Sequence, residues 1–371
     1  MGIMVGLPSP SGSEKDLQLN FGKNMTVQVE MRAPHLPAEW HMQSGIQLTW
    51  PHAGTDWAYM LQEVQECFVK IAKEIAEREL LLIVTPEPEE VKKQISAVVN
   101  MDNVRFLKCA TNDTWARDHG AITMIDTGNP SLLDFTFNGW GLKFAAELDN
   151  QITKQAVEAG ALKGQYIDCL DFVLEGGSIE SDGMGTLLTT SECLLSPQRN
   201  GKLNQVEIEE YLKSTFHLQK VLWLDHGYLA GDDTDSHIDT LARFCSTDTI
   251  AYVKCTDEAD EHYEALLAME EQLKTFRTLA GEPYRLLALP MADKIEEDGE
   301  RLPATYANFL ILNEAVLYPT YNQPENDRKA GEVLQQAFPK YQIIGIDCRA
   351  LIKQHGSLHC VTMQYPMGVL K

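Results

Sequence analysis

Between residues 56 and 110 the hydrophobic pattern alternates between helical and extended periodicity. Apolar residues recur at helical spacing through residues 56–78. The continuous apolar run at 80–84 follows and predicts a buried strand, which a proline ends. Residues 88–99 predict a second helix and residues 104–110 a second strand. This part of the chain therefore indicates mixed α and β structure.

Beyond residue 120 the predicted strands become shorter, and several of them pair as hairpins. Residues 122–125 and 132–137 are extended stretches on either side of the turn signal at 126–130,. Further helices are predicted near 151–160, 204–216, 257–278 and 326–337. Further strands are predicted near 186–189, 221–224, 238–244, 249–254, 285–289, 308–312, 315–319, 342–346 and 358–364.

No linker cuts the chain after about residue 35, so the pattern predicts one α/β domain. We place this single domain at residues 29–371. Residues 1–28 are rich in Gly, Ser and Pro and are otherwise polar, which predicts a flexible lead-in,. The lead-in has no basic segment before its short apolar run, so it does not resemble a signal peptide.

Charge and cysteine usage narrow the class of partner and the compartment. The 371 residues carry a formal net charge of −23, whereas nucleic-acid binding needs a basic stripe,. An acidic surface can draw in a cationic ligand, although most such charge serves solubility. The eight cysteines contain no CxxC pair, and no apolar stretch is long enough to span a membrane,. We expect a cytoplasmic protein with a small cationic ligand, without nucleic-acid or membrane partners, and we leave homo-oligomerisation open.

Five polar residues near strand ends recur at loose intervals. Asp118, Glu175, His237, Asn308 and Cys360 are separated by 52 to 71 residues. Such a period can mark a modular repeat in which each module contributes one strand end to a shared site. The modules share no sequence identity, so chance spacing of polar residues explains the interval equally well.

Cys360 is the candidate nucleophile. It ends the polar turn 355–360 and precedes an apolar stretch. A thiol beside a turn can be reactive, whereas a thiol inside an apolar run is usually core. A free thiol titrates near about 8.5 and needs help to ionise. We favour His237 as the base over His355 and His359, because strand alternation would send His359 and Cys360 to opposite faces.

His237 and Asp239 form the second candidate pair. On the strand predicted at 238–244, positions i and i+2 share a face, so an imidazole and a carboxylate would project together. That arrangement suits a base beside an anchor for a cation. A solvated pair at the start of a strand is the competing interpretation.

Two further segments supply carboxylates. Asp118 lies close to the indole of Trp115, a combination that suits a planar guanidinium through paired hydrogen bonds and cation–π attraction. The alternative is an ordinary ion pair between Asp118 and Arg117 or Arg243. Glu175 precedes two glycines and could steady an imidazole, or it could be an ordinary turn acid.

A metal site is conceivable but unsupported by any recognised ligand spacing. Its ligands would be His237, Asp239, Asp118 and Asp232,. We therefore predict neither metal nor organic cofactor.

Eight short segments follow one another in an order that is more specific than any one of them. They are PAEW (37–40), LTWPH (48–52), NDTWARDHG (112–120), EGGSI (175–179), GTLLTTSECL (185–194), DTDSHID (233–239), YANF (306–309) and GSLHCVTMQYP (356–366). Together they resemble the agmatine deiminase family, which also contains the bacterial-type peptidylarginine deiminases. The resemblance covers most of the chain.

The resemblance implies a pentein fold, in which five αβ modules surround a pseudo-fivefold axis with the site at the centre. It also implies hydrolysis of a guanidine through a covalent cysteine thiouronium intermediate. The implied roles are nucleophile for Cys360, acid and base for His237, guanidinium ligands for Asp118 and Asp239, orientation of His237 for Glu175, and substrate contacts for Trp115 and Gly356.

This resemblance favours conversion of agmatine to N-carbamoylputrescine and ammonia. Deimination of arginine in peptides is the alternative within the family. Outside it, a non-catalytic polyamine- or guanidine-binding protein would need the carboxylates but not the thiol. A cysteine-dependent acyl hydrolase would leave the paired carboxylates unexplained. Ser357 and Glu180 stand where the family often has other residues, which bears on the choice of substrate.

Overall fold

Short strands and helices alternate along the whole of the described chain. The structure is a computed structural model, and it describes residues 34–126 and 130–371. In chain order the strands are β1 (Gln43–Thr49), β2 (Leu80–Thr85), β3 (Val104–Lys108), β4 (Ile122–Met124), β5 (Ser131–Thr136), β6 (Gln165–Val173), β7 (Ile179–Ser181), β8 (Thr186–Thr190), β9 (Lys220–Leu224), β10 (Ala242–Ser246), β11 (Thr249–Lys254), β12 (Arg285–Pro290), β13 (Glu296–Glu297), β14 (Glu300–Arg301), β15 (Leu310–Leu312), β16 (Ala315–Thr320), β17 (Gln342–Asp347) and β18 (Thr362–Pro366).

The helices connect these strands and cover their faces. They are α1 (Leu61–Ala76), α2 (Pro88–Ile95), α3 (Ala116–His119), α4 (Gly139–Leu142), α5 (Ile152–Glu158), α6 (Ser191–Leu194), α7 (Gln205–Phe216), α8 (Ile238–Leu241), α9 (Tyr263–Thr275) and α10 (Pro324–Ala337). Single 3-10 turns occur at Ala58–Met60, Met101–Asn103, Asp149–Gln151, Gly176–Ser178 and Leu351–Gln354. α7 begins with a capping box between Asn204 and Glu207, which satisfies the first backbone donors of the helix,.

Five sheets in the described residues share one strand topology. Each has a central strand that pairs antiparallel with one neighbour and parallel with another, the parallel neighbour being reached through a helix. Their orders are β18-β1-β2-β3, β4-β5-β6, β7-β8-β9, β10-β11-β12 and β15-β16-β17, and β13-β14 is a separate hairpin. These are mixed sheets, so the predicted α/β class is confirmed.

The apolar runs of the sequence become the central strands of these sheets. β2 pairs in parallel on both sides and buries nearly every residue, which explains its unbroken hydrophobic pattern,. α1 packs on this sheet through the apolar stripe that its periodicity predicted, with Val64, Phe68 and Ile71 fully buried,. The described residues from 34 onwards form one compact unit.

The polar candidates lie in turns. In each sheet, the turn comes directly before the strand that pairs antiparallel with the central strand. Asp118 lies in α3 ahead of β4, Glu175 precedes the turn before β7, Asp239 lies in α8 ahead of β10, Asn308 precedes β15, and Cys360 precedes β18. The loose interval between these residues in the sequence therefore follows from the repeated topology of the sheets.

Two strand predictions at the site were wrong at their start. Residues 238–241 form the helical turn α8, and β10 begins only at Ala242. Residues 358–361 form a turn, and β18 begins only at Thr362. Short apolar runs do not distinguish a strand from a buried helical turn, so the strand alternation argued for His237 and Asp239, and for His359 and Cys360, does not apply.

Three further predictions concern membrane spans, the cysteines and the N-terminal lead-in. Among the described residues, no helix is long and apolar enough to cross a membrane. All eight cysteines are buried free thiols. The predicted lead-in at 1–28 lies outside the described residues, as do positions 127–129 of the predicted turn.

Candidate active site

Three of the candidate side chains converge on Gly177. An ideal Cβ placed on this glycine would lie 2.7 Å from Nδ1 of His237, 2.9 Å from Oδ1 of Asp118 and 3.1 Å from Oδ2 of Asp239. The backbone at Gly177 therefore approaches these groups more closely than any residue with a side chain could. The turns that precede β4, β7 and β10 bring an imidazole and two carboxylates together at this point.

Cys360 joins the same group from the turn before β18. Its thiol donates to Oδ1 of Asn308 at 3.4 Å, and the same oxygen accepts the backbone N–H of His359 at 2.8 Å. Burial raises the pKa of Cys360 well above its ordinary value, and the nearby Asp239 and Asp118 raise it further. The thiol is therefore held protonated until a positive charge reaches it.

Asp118 is bound by neutral donors instead of the arginines that the sequence offered. Its carboxylate accepts from the indole N–H of Trp140 at 3.0 Å and from the backbone N–H of Gly177 at 3.0 Å. Burial, with the charge of Glu175, raises the pKa of Asp118 to about 7. The ion pair with Arg117 or Arg243 is not formed, because both guanidinium groups bond elsewhere.

His237 is buried between charged neighbours without a hydrogen bond to either ring nitrogen within the described residues. Its Nδ1 lies 3.7 Å from Oδ1 of Asp118, and a nitrogen of its ring lies within 4.8 Å of the carboxylate of Glu175. Burial lowers its pKa well below the usual value, and Arg199 lowers it further. The ring is therefore neutral and has both nitrogens available for a reacting group.

The turn that presents His237 is unusual in its backbone. Asp235 and Ser236 both have left-handed φ angles, 64° and 62°, which non-glycine residues rarely adopt,. The side chain of Asp232 accepts the backbone N–H of Ser236 at 2.7 Å, and Asp235 pairs with Arg199 at 2.6 Å. These bonds hold the strained turn and aim His237 into the site.

Glu175 is tied to the same turn through Arg199. Nε of Arg199 donates to Oε1 of Glu175 at 2.8 Å, while its Nη2 donates to the carbonyl of Thr234 at 2.8 Å. The other carboxylate oxygen, Oε2, has no hydrogen-bond partner in the part of the chain that the structure describes. Burial raises the pKa of Glu175 above its ordinary value.

A cavity of about 410 Å³ opens onto Cys360 and Asp118. The indole of Trp115 forms one wall and lies against Gly356, where an ideal Cβ would come within 2.1 Å of the ring. Among the described lining residues are the carboxylates of Asp56, Asp113 and Asp233, and no Lys or Arg. The charge of this lining therefore favours a cationic ligand,.

A second cavity of about 630 Å³ lies against Glu39, Arg117 and His359. Neither Cys360 nor Asp118 is among its lining residues. We therefore assign the candidate active site to the smaller cavity.

The sequence matches the family model of the Porphyromonas-type peptidyl-arginine deiminases over residues 35–366. The chain belongs to this family. The family predicted from the eight short segments is thereby confirmed.

Members and relatives of the peptidyl-arginine deiminase family match almost end to end. The crystal structure of a "Putative Arginine Deiminase" from Porphyromonas gingivalis is 51% identical, covers 91% of this chain and 100% of its own, and has a TM-score of 0.86. A cysteine-to-serine variant of agmatine deiminase from C. jejuni with substrate bound is 39% identical, covers 94% and 100%, and has a TM-score of 0.84. A "Putative agmatine deiminase" from Marinomonas is 32% identical over 351 residues, 89% of this chain and 94% of its own.

Several residues of this family member's site escaped the sequence argument. Trp140 and Arg199 bind Asp118 and Glu175, and Asn308 was noted for its spacing but given no contact with Cys360. The turn Gly139–Leu142 that carries Trp140 has a left-handed backbone throughout, which its two glycines could have suggested,.

Within the part of the chain that the structure describes, two buried clusters contain atoms at metal-ligand spacing. They are Glu175, Cys193 and His237, and Glu39, Glu180 and His359. Each already includes an acid paired with arginine, Glu175 with Arg199 and Glu39 with Arg243. A divalent cation would have to compete with these guanidinium groups, so neither cluster favours a metal.

Proposed function

We propose that the protein hydrolyses the guanidinium group of agmatine to N-carbamoylputrescine and ammonia. The observation that carries this proposal is the convergence of His237, Asp118 and Asp239 at Gly177, beside an acidic cavity that Asp118 and Cys360 line. Three acids, Asp118, Asp239 and Glu175, cluster there. Asp118 and Asp239 have no Lys or Arg partner among the described residues. A guanidinium supplies the missing charge and matches carboxylates in planar, paired hydrogen bonds.

The proposed reaction begins when Asp118 and Asp239 hold the guanidinium with its carbon next to sulfur. The arriving cation lowers the pKa of Cys360, and the thiolate attacks the carbon. His237 carries the thiol proton to one nitrogen, which leaves as ammonia and gives a thiouronium bound to Cys360. Two fixed carboxylates position the guanidinium and so lower the entropy cost of bringing the reacting groups together.

The second half of the reaction restores the enzyme. His237 takes a proton from water, and the resulting hydroxide attacks the thiouronium carbon. The C–S bond breaks to release the ureido product and the thiol, and the proton left on His237 passes to solvent, where the released ammonia takes one up. One guanidinium and one water thus give one neutral urea and one ammonium ion. Glu175, fixed by Arg199, would orient the imidazole for both steps.

The far end of the cavity supports agmatine over free arginine. Asp56, Asp113 and Asp233 could attract the terminal ammonium of a diamine,. The α-carboxylate of free arginine would meet the same acids, with no Lys or Arg among the described lining residues to receive it. Trp115 and Gly356 would enclose the aliphatic chain between the two charged ends.

We also propose that the five sheets surround a common axis as pentein modules. Two features support this arrangement. The sheets share one strand order, and in each sheet a polar turn comes directly before the strand that pairs antiparallel with the central strand. Free thiols and an acidic surface support a cytoplasmic location,.

Arginine in peptides is the second candidate substrate. Phe144 lines the cavity and is 42% exposed, and nearby Leu142 is 71% exposed. Exposed apolar side chains beside a cavity can contact residues that flank a peptide arginine. A peptide bond also removes the α-carboxylate that the acidic wall would repel.

Incubation with agmatine, free arginine and an arginine-containing peptide tests these choices, with ammonia and ureido product as readouts. We expect agmatine to give the highest kcat/KM and to leave a trapped adduct on Cys360 that mass spectrometry detects. Turnover of the peptide alone would favour the second candidate. No turnover of any guanidine would refute the proposal.

A further inference from the structure

His359 occupies a position between the candidate site and a buried ion network. Its Nδ1 lies 2.7 Å from Oδ2 of Asp239, and its Nε2 lies 2.7 Å from Oε2 of Glu39. The ring is 1% exposed. The sequence favoured His237 over this histidine as the base, and the geometry gives His359 a different task.

The two contacts fix how many protons the three groups hold. An ionised carboxylate only accepts hydrogen bonds, so each 2.7 Å contact requires one proton between its nitrogen and its oxygen. Asp239, His359 and Glu39 together therefore hold two protons and carry a net charge of −1. This count is the same whether the shared protons reside on nitrogen or on oxygen.

Glu39 is the ionised end of this chain. Its carboxylate also accepts from Nη2 of Arg243 at 2.7 Å and from the backbone N–H of Ile311 at 2.7 Å. Burial raises the pKa of Glu39, but Arg243 and His359 outweigh burial and hold it below the usual range. The proton on Nε2 of His359 therefore stays on nitrogen, and this N–H donates a hydrogen bond to Glu39.

The proton between Asp239 and His359 can lie on Oδ2 of Asp239 or on Nδ1 of His359. Burial raises the pKa of Asp239 well above its ordinary value, and Asp118 raises it further, which favours a proton on Oδ2 while the site is empty. Burial and the nearby Arg117 and Arg243 favour a neutral ring on His359. A guanidinium beside Asp239 reverses this preference, because a cation stabilises the ionised carboxylate.

The bond to His359 also determines which oxygen of Asp239 is available. Oδ2 is occupied by the histidine, and Oδ1 has no hydrogen-bond partner among the described residues. The rotation of the carboxylate is thereby fixed with one oxygen free. A loose carboxylate at this position would have to be ordered by the substrate.

We propose that His359 is the positioning residue of Asp239: it holds Oδ2 so that Oδ1 is left free for the guanidinium, and it takes the proton from Oδ2 when that cation binds. The proton moves along one existing hydrogen bond, from Oδ2 to Nδ1, and leaves an imidazolium between two carboxylates. Glu39 and Arg243 hold the far side of the ring in place. The inference rests on the proposed function, in which Asp239 binds the guanidinium.

A pair of substitutions separates the two contacts of the ring. In His359→Asn the amide nitrogen can stand near the position of Nδ1 and donate to Asp239. In His359→Gln it can reach the position of Nε2 and donate to Glu39 instead. We expect kcat/KM for agmatine to fall about 10-fold in H359N and roughly 100-fold or more in H359Q, the range expected for loss of a hydrogen bond to a charged group.

His262 provides the matched control. It is equally buried, and its ring contacts Asp260 and the backbone N–H of Ala230 away from the candidate site. H262N and H262Q should lower thermal stability without separating in kcat/KM. Equal losses in H359N and H359Q, or a greater loss in H359N, would overturn the positioning role.

The proton shift has its own readout, which does not depend on whether those variants fold. In Cys360→Ala with ¹⁵N-labelled histidine, we expect Nε2 of His359 to be protonated throughout and Nδ1 to move toward its protonated chemical shift when agmatine is added. An unchanged Nδ1 signal with agmatine bound would overturn the proton transfer. Failure of the wild-type protein to turn over any guanidine would instead count against the proposed function.

Discussion

Two groups of buried charged side chains lie on either side of His359 in this protein. The acid cluster consists of Asp118, Asp239 and Glu175, and the ion network consists of Glu39, Glu180, Arg243 and Arg117. In the ion network, Arg243 bonds to Glu39 and to Glu180 as well as to the carbonyls of Ala307 and Phe309. Each of those acids therefore has a guanidinium partner.

The acid cluster lacks such partners at two of its three members. Asp118 bonds to an indole and a backbone amide, and Asp239 to His359, while only Glu175 has an arginine. The pKa of Asp118 is raised to about 7, whereas that of Glu39 is lowered. Burial is common to both groups, so the difference lies in the missing cation, which is why we propose that a guanidinium completes the acid cluster.

Removal of the nucleophile should produce the largest effect on activity. We expect Cys360→Ala to lower kcat for agmatine by about 10⁴-fold or more, because the proposed covalent intermediate forms on this thiol. The same variant should still bind agmatine, since both carboxylates remain, and calorimetry or a ligand-dependent rise in Tm would measure this. Cys109→Ala, which alters a cysteine away from the site, is the control. Loss of binding along with turnover would show that the acid cluster alone does not hold the cation.

The ion network should respond through stability. Glu39→Gln leaves Glu180 as the one ionised acid of the ion network beside the two buried guanidinium groups of Arg243 and Arg117. One buried positive charge is then uncompensated, so we expect the free energy of unfolding to fall by roughly 3–5 kcal/mol,. Urea unfolding measures this loss. Glu261→Gln, which breaks a partly exposed pair with Arg301, should cost no more than about 1 kcal/mol,. Equal small losses in the two variants would mean that the network is not stabilised by its pairing.

A substitution at Gly177 tests whether activity depends on the short distances between this glycine and the side chains around it. In Gly177→Ala the new methyl group would lie within 3.1 Å of His237, Asp118 and Asp239, so these groups must move apart. We expect kcat/KM to fall by roughly 100-fold or more, since displacements of about 1 Å can have effects of this size. Gly281→Ala adds a methyl group in open space, but at a φ of 84° where alanine is strained, so it should lower stability and leave kcat/KM unchanged,. Wild-type kinetics in Gly177→Ala would contradict the convergence at this glycine.

Much of the acid cluster could be found from the sequence, and almost none of the ion network. Asp118, Glu175 and Asp239 lie in short polar turns beside strands, where a carboxylate stands out against an apolar pattern. Glu39 and His359 are 320 residues apart, and their contact depends on how the first and last strands pair in one sheet. No local periodicity encodes such a contact, so His359 could be assigned neither its partners nor its task.

The boundaries of elements at the site were hard to predict for a related reason. Residues 238–241 are all buried, and a four-residue segment with apolar residues only at its two ends, Ile238 and Leu241, fits a helical turn as well as a strand,. β6 was missed because only two of its nine residues are buried and it lacks a continuous apolar run. Central strands such as β2, which are buried on both faces, were the easiest to recognise.

The pH dependence of stability gives the smallest effect and the most direct comparison of the two groups. Asp118 has a pKa of about 7 in the folded protein and an ordinary value of 3.8 when unfolded. Between these values the folded state binds more protons than the unfolded state, so this residue's contribution to stability falls as the pH rises from about 4 to 7.

Asp118→Asn cannot ionise and removes that pH-dependent penalty. Relative to wild type, we expect the variant's free energy of unfolding to improve by roughly 2–3 kcal/mol between pH 5 and pH 8. The loss of one acceptor for Trp140 or Gly177 is independent of pH, so the trend with pH isolates the charge. Urea unfolding of both proteins at each pH measures it, and agmatine should reduce the trend in wild type by supplying the cation. A constant difference across this range would mean that Asp118 stays ionised in the empty site, and that the acid cluster is as well compensated as the ion network behind it.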